Sequence, residues 1–155
     1  MKMLRLLLTV LVALAFGVLS AESFTLESKA DGAWSDAGTW QPERQPKAGD
    51  KVRIRSGHTV VFNSKSSHLI PLLHVEGSLV FTRDRDTELN VAVLKVGGGK
   101  EKHSGVADVH GHKMAPISAR LEVGTPEKPI PAGVTARILL HYIDGLDKAE
   151  APLLT

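Results

Sequence analysis

Apolar and polar residues alternate along most of the chain after residue 21. This period of two is typical of β-strands, because successive side chains of a strand point to opposite faces. No stretch in this part of the chain keeps an apolar stripe at helical spacing, so the sequence predicts an all-β fold. The predicted strands cover residues 51–55, 58–62, 69–75, 78–81, 88–96, 118–123 and 134–142.

Turn-forming residues separate these strands at intervals of roughly ten residues. Glycine occurs at each break, at residues 56–57, 76–77, 97–99, 124–126 and 131–133. Such spacing is typical of a β-sandwich, a barrel or a solenoid of parallel strands. Leucine, isoleucine and valine recur in short rungs, and no break is an Asn-Gly or Asp-Gly pair of the kind that closes tight hairpins. The pattern therefore favours the solenoid and leaves the sandwich as an alternative.

The first twenty residues have the three parts of a secretory signal peptide. Lys2 and Arg5 precede an uncharged apolar run over residues 6–19, and small residues follow at the cleavage point. This run is shorter than the roughly 20 residues that a membrane-spanning helix needs, which favours cleavage over anchoring. We therefore expect a secreted or periplasmic protein without a membrane span after cleavage. The predicted parts are a signal peptide at 1–20, a β-domain at 22–147 and a tail at 148–155.

Charge and composition exclude several classes of function. Removal of the signal peptide reduces the 19 basic residues to 17, equal to the 17 acidic residues, so the mature chain is formally neutral. A neutral chain without a basic patch argues against a nucleic-acid partner. Cysteine is absent, which excludes disulfides, thiolate metal sites and a cysteine nucleophile. Nucleophile-elbow, phosphate-loop and zinc-protease motifs are also missing, so an enzyme is not the favoured interpretation.

Residues 97–120 interrupt the strand pattern and are rich in glycine and histidine. They predict a long surface loop within the β-domain, a place where binding often occurs. Asp108, His110 and His112 alternate, so on an extended segment their side chains would share one face. With His103 as a candidate fourth ligand, this set fits a divalent metal ion, the only cofactor that the sequence suggests. The alternative is a solvated polar loop that tolerates histidine.

Several short segments together resemble one known family. Residues 32–40 hold two tryptophans around Ser-Asp-Ala-Gly-Thr, and Pro46, Gly49 and Asp50 then lead into the next predicted strand. Further matching segments are residues 57–61, 73–81 and 121–125. Over about residues 32–143 the chain is similar to the G8 domain, a module named for its recurrent glycines. This module is found in extracellular and membrane-anchored proteins, including hyaluronidase-type and hyaluronan-binding cell-surface proteins and fibrocystin.

The resemblance implies an all-β module that forms the first coils of a right-handed parallel β-helix outside the cell. We accordingly predict a short right-handed parallel β-helix, with an antiparallel β-sandwich as the alternative. Two positions depart from the family pattern, since Gln41-Pro42 replaces a glycine and Asn63 replaces an aspartate. The resemblance also implies a role in binding ligand, with carbohydrate as the favoured class.

Trp34, Trp40 and Asp50 are the candidate ligand-binding residues. A tryptophan ring can stack on the apolar face of a sugar, although the two rings could instead cover the end of the β stack. The Asp50 carboxylate is placed to accept backbone N–H groups where its strand begins.

The favoured function is non-catalytic binding of polysaccharide at the cell exterior. One alternative is part of a polysaccharide-depolymerising enzyme, assisted by a metal ion on the 97–120 loop. The other is an architectural cap, whose partner would be the continuation of a longer β-helix.

Overall fold

The computed structural model describes residues 23–97 and 119–145 of the chain. These residues form ten β-strands and a short 3₁₀ helix over Ala37–Thr39. The predicted signal peptide, the predicted tail and most of the predicted 97–120 loop lie outside the described residues. In chain order the strands are β1 (Leu26–Ser28), β2 (Gly32–Ala33), β3 (Trp40–Gln41), β4 (Lys51–Ile54), β5 (Thr59–Phe62), β6 (Lys65–Val75), β7 (Ser78–Phe81), β8 (Thr87–Val96), β9 (Arg120–Glu122) and β10 (Ala136–Leu140).

The strands form two sheets, and the predicted all-β class is confirmed. The six-stranded sheet has the order β10-β8-β6-β4-β1-β3, and the four-stranded sheet has the order β2-β5-β7-β9. Within the described residues only β1 and β3 pair antiparallel, and the other neighbouring strands run parallel. From β4 to β10 the chain contributes strands to the two sheets alternately, so each strand pairs with the one two places further along.

Rows of aliphatic side chains stack in register to form the core. Leu26, Val52, Leu73 and Leu94 occupy equivalent positions on β1, β4, β6 and β8. The first three are fully buried, and Leu94 packs against the same cluster. Each such side chain contributes about 1.5–3 kcal/mol when it is removed from water, so the rows stabilise the stack strand by strand. The rows use the recurrent leucine, isoleucine and valine residues that the sequence pattern singles out.

The corners between strands also stack on one another. At the corner between β6 and β7, the N–H groups of Glu76 and Gly77 donate to the carbonyl oxygen of Ile54, at 2.9 and 3.1 Å. The N–H of Ser78 donates to the carbonyl oxygen of His58 at 2.8 Å. Both acceptors belong to the corner region between β4 and β5, so hydrogen bonds continue from one sheet to the other around the turn.

The two ends of the stack differ. At one end the short strand β3 pairs with β1, and the buried side chain of Trp40 closes the core. At the other end β9 and β10 have no neighbour on their outer sides in the part of the chain that the structure describes. Apolar side chains are exposed near these edges, since Leu140 is 63% accessible and Tyr142 is 82% accessible.

The observed strands follow the sequence prediction closely from β4 onward. Each of the seven predicted strands overlaps an observed one, and β6 begins at Lys65, four residues before the predicted start. The strands β1, β2 and β3 have only two or three residues each, which is too short for an alternation of two to be recognised. Among residues 23–97 and 119–145, no helix has the length and apolar character needed to cross a bilayer.

Candidate functional site

The two tryptophans, predicted either to cover the end of the β stack or to contact a sugar, are both buried. Trp40 is fully buried, and Trp34 is 6% accessible. The indole N–H of Trp40 donates to the carbonyl oxygen of Trp34 at 3.0 Å. The two rings meet edge to face with their centroids 5.2 Å apart, a geometry that contributes about 0.5–1.5 kcal/mol beyond the buried area. The pair therefore covers the end of the aliphatic core, and only a small part of Trp34 reaches the surface.

Polar side chains fix the turn that carries Trp34. The Asp36 carboxylate accepts a hydrogen bond from the Gly38 N–H at 2.8 Å, which starts the 3₁₀ helix. Asn63, directly after β5, makes two hydrogen bonds to Ser35. Its carbonyl oxygen accepts from the Ser35 N–H at 3.2 Å, and its amide donates to the Ser35 hydroxyl at 2.8 Å. An asparagine at this position thus uses both halves of its amide to position the tryptophan segment.

The Asp50 carboxylate, at a residue only 4% accessible, is fully engaged within the chain. The Arg44 guanidinium donates to its two oxygens at 2.6 and 2.8 Å. The Lys47 N–H donates at 2.8 Å, which is the backbone contact that the sequence predicts, and the Thr25 hydroxyl donates at 2.9 Å. Burial raises the pKa of the Asp50 carboxyl, but these hydrogen bonds outweigh it and hold the pKa below its ordinary value.

Replacing Asp50 with asparagine is expected to lower the free energy of unfolding at pH 7 by about 1.5–3 kcal/mol. The amide keeps the shape of the carboxylate but loses the charge that strengthens the hydrogen bonds from Arg44. Because the folded-state pKa is lowered, this stabilisation is present above the unfolded-state pKa of about 3.9 and is lost as the pH falls through the folded-state value.

Urea unfolding at pH 7 and at pH 3 measures both effects of the Asp50→Asn substitution. When the pH is lowered from 7 to 3, the free energy of unfolding should fall more for the wild-type protein than for the Asp50→Asn variant. Asp144→Asn is the matched control, since Asp144 is exposed in the turn after β10. Similar losses of stability at pH 7 for the two variants would contradict the structural role of Asp50.

The predicted metal ligands Asp108, His110, His112 and His103 lie outside the described residues. The metal site therefore stays a prediction from the sequence. Within residues 23–97 and 119–145, no group of three or more histidine, aspartate or glutamate side chains is arranged to hold a metal ion.

A cleft of about 150 Å³ opens beside Trp34, where strands β6 and β8 begin. Four of its lining residues are apolar and buried, namely Trp34, Phe62, Ile70 and Leu89. The other lining residues are Pro46 and six polar residues, namely Gln45, Ser64, Ser66, His68, Glu88 and Asn90. The lining of the cleft thus combines apolar residues with hydrogen-bonding groups of both kinds.

Asn90 on β8 makes hydrogen bonds to β6, to its own strand and to the residue that follows β10. Its amide donates to the carbonyl oxygen of Ser66 at 2.8 Å and to the Glu88 carboxylate at 3.2 Å. Its own carbonyl oxygen lies 2.6 Å from Nε2 of His141, which donates when it carries the ring proton. Because Asn90 is only 6% accessible, these bonds set the positions of Glu88 and of the start of β6 at the edge of the cleft.

The G8 domain family matches residues 39–152, which is more than half of the chain. The chain belongs to the G8 domain family. The match includes Trp40, Asp50 and the cleft residues of β6 and β8, whereas Trp34 precedes it. The resemblance predicted from the glycines and tryptophans is therefore confirmed.

Two curated relatives of this G8 chain are fibrocystins. The fibrocystin of Canis lupus familiaris is 32% identical over 76 residues, which is 48% of this chain and 2% of the relative. The fibrocystin of Mus musculus is 32% identical over 72 residues, which is 46% of this chain and 2% of the relative. The chain thus corresponds to only a small part of the length of these relatives. No solved structure gives a significant match.

Apart from Trp34, the cleft residues were not among the site residues predicted for this G8 domain. The available signal is at residues 65–68, where Lys-Ser-Ser-His places polar side chains on both faces of a strand. A strand inside a stack normally has one apolar face, so a start that is polar on both faces indicates an opening in the core. Residues 88–90 give no such signal, because buried Asn90 follows buried Leu89 and breaks the alternation.

Proposed function

We propose that this G8 domain is an extracellular, non-catalytic module that binds polysaccharide, and that the cleft beside Trp34 holds one sugar unit. The observation that carries this proposal is a cleft whose lining includes both apolar and polar residues. A sugar ring needs the same combination, since its hydroxyl groups require donors and acceptors while its C–H face requires an apolar surface.

The cleft is large enough for only part of a polysaccharide ligand. A volume of about 150 Å³ is smaller than the 300–1,000 Å³ typical of pockets that enclose a small molecule. An open cleft of this size suits one unit of a chain whose other units remain on the surface. The aromatic lining residues are held by packing in the core, because the Trp34 and Phe62 ring centroids are 5.1 Å apart and the Phe62 ring lies 4.9 Å from that of Phe81.

The proposal also includes the architecture of the domain and its location outside the cell. The alternation of parallel strands between two sheets supports a short right-handed parallel β-helix rather than an antiparallel sandwich. The predicted signal peptide and membership of the G8 family support a position outside the cell.

Replacing Gln45 with alanine is expected to weaken polysaccharide binding about fivefold, which corresponds to the loss of one hydrogen bond. Gln45 is exposed at the edge of the cleft, so the substitution should leave folding unchanged. Gln41→Ala is the matched control, because Gln41 is exposed on β3 and does not line the cleft.

A panel of immobilised polysaccharides measures this effect. The neutral probes are glucan, mannan, xylan and galactan, and the anionic probes are hyaluronan, polygalacturonate and heparin. Folded protein that binds none of them contradicts the proposed function, and equal binding by the Gln45 and Gln41 variants contradicts its location. Reducing-end release with added divalent ions tests the alternative of a metal-assisted depolymerising enzyme. The architectural role remains a prediction, and assembly of the chain with a continuing β-helix tests it.

A further inference from the structure

Residues 66–68 of β6 form a bulge beside the cleft. Between two positions where β6 and β8 pair in register, β6 contains these three residues and β8 contains only Leu89. The His68 N–H donates to the Ser66 hydroxyl at 3.1 Å, and both residues line the cleft. Since a bulge bends its strand and redirects nearby side chains, this one places polar side chains of β6 in the cleft.

Asn90 holds the bulge and the Glu88 carboxylate in position. One hydrogen of its amide donates to the Ser66 carbonyl oxygen at 2.8 Å, and the other donates to Glu88 Oε1 at 3.2 Å. The amide nitrogen has only these two hydrogens, so Asn90 has no N–H left for a ligand. The polar lining residues that remain for a ligand are Gln45, Ser64, Ser66, His68 and Glu88.

Glu88 is the charged residue of the cleft. Among the described residues that line it, no other is an aspartate, glutamate, lysine or arginine. The Glu88 side chain is 21% accessible, and its carboxylate lies 3.9 Å from the guanidinium of Arg137, which does not line the cleft. A carboxylate offers about four acceptor positions, and the hydrogen bond from Asn90 occupies one of them. The other positions can accept hydrogen bonds from a ligand.

This carboxylate makes the cleft unfavourable for an anionic ligand. Lys65 pairs with Glu88 in register but does not line the cleft, and its ammonium lies 3.4 Å from the Asp86 carboxylate. A negative charge placed in the cleft would be repelled by half-buried Glu88, and water screens such repulsion less there than on an exposed surface. A sugar hydroxyl would instead donate a charge-assisted hydrogen bond to the carboxylate.

We propose that Glu88 determines the specificity of the cleft for uncharged sugar units. Its carboxylate accepts hydroxyl groups of such a unit and repels units that carry a carboxylate or sulfate group. Asn90 is a positioning residue, since it contacts Glu88 and the bulge rather than the ligand. This inference rests on the proposed function and adds the charge class of the ligand and the residue that selects it.

The test compares an uncharged polysaccharide with a form of the same backbone that carries carboxylate groups. The uncharged probe is whichever of glucan, mannan, galactan and xylan binds best. Its acidic counterpart is the same glucan, mannan or galactan oxidised at C6, or xylan with glucuronate side groups. Binding is measured at pH 8, where glutamate is ordinarily ionised and histidine ordinarily neutral. We expect the wild-type protein to bind the acidic form about tenfold more weakly.

Glu88→Gln should remove this difference, so that the two forms bind within about twofold of each other. Glutamine keeps the shape of glutamate and an acceptor oxygen but carries no charge. Glu122→Gln is the matched control, because the Glu122 side chain is 23% accessible and lies 3.2 Å from Arg120, but on β9 and outside the cleft. This control should keep the tenfold difference. The ratio of the two affinities is the readout, since a merely structural loss would weaken both forms alike.

Gln45→Glu makes the opposite change at an exposed residue of the cleft, where the substitution should leave folding unchanged. The added carboxylate should increase the difference between the two forms about threefold. This variant tests the role of charge in the cleft even if Glu88→Gln does not fold, which thermal unfolding shows.

The outcomes separate the inference from the function on which it rests. Equal binding of the two forms by the wild-type protein overturns the selection of uncharged units, and the proposed function stands. A ratio that Glu88→Gln leaves unchanged overturns the role of Glu88, and if that variant does not fold, a ratio that Gln45→Glu leaves unchanged does so. Binding confined to hyaluronan, polygalacturonate or heparin overturns the uncharged class. Only folded protein that binds no polysaccharide contradicts the proposed function itself.

Discussion

Replacing Trp40 with alanine is expected to lower the free energy of unfolding by about 3–5 kcal/mol. The indole is fully buried at the closed end of the stack, so its removal leaves a cavity beside Trp34. The substitution also removes the donor to the Trp34 carbonyl oxygen, and a buried acceptor that loses its partner adds to the cost.

Urea unfolding followed by circular dichroism measures this loss. Tyr142→Ala is the control, because Tyr142 is 82% accessible and its truncation should change the free energy of unfolding by no more than about 0.5 kcal/mol. A Trp40→Ala variant as stable as the Tyr142 variant would show that the indole does not close the core.

The Gly77→Ala substitution is expected to cost about 3 kcal/mol, at the upper end of the range for added methyl groups. A Cβ at this position would press against the carbonyl oxygens of Arg55 and His58, closer than real Cβ atoms approach other atoms. Neither oxygen can move away easily, because the Arg55 carbonyl accepts from the His58 N–H at 3.1 Å and the His58 carbonyl accepts from the Ser78 N–H at 2.8 Å. The stacked corners therefore require glycine at residue 77.

Gly38→Ala is the matched control for this corner. A Cβ there would come within 3.2 Å of the Asp36 carboxylate, which is exposed and can shift, so we expect a loss below about 1 kcal/mol. Equal losses for the two alanine variants, measured by denaturant unfolding, would contradict the close approach of the corners.

The sequence predicts the regular part of the fold because the pattern and the packing depend on the same side chains. On β4, the apolar residues Val52 and Ile54 are the ones that stack in the core, and on β5 and β7 every second residue is buried in the same way. The glycine at residue 77 is also recognisable as a corner. This corner has no space for a Cβ because it contacts the corner that contains Arg55 and His58. Which two corners come into contact depends on which strands stack, and the period of two in the sequence does not specify that.

The candidate site is less visible in the sequence than the fold. Trp34 and Trp40 were predicted as a ligand surface or as a cover for the core, and only the structure distinguishes exposed rings from buried ones. The cleft assembles side chains from several strands, and Asn90 reaches Ser66 and His141 over 24 and 51 residues of sequence. Contacts of that separation depend on strand register, which a single sequence does not specify.

The unequal ends of the stack limit how copies of the chain can associate. In the described residues, β10 offers an open edge of five residues, whereas β3 at the opposite end has only two. An unpaired strand edge can pair with another chain. Among the described residues the longer such edge therefore lies at the β10 end of the six-stranded sheet, and the β3 end offers much less unpaired backbone.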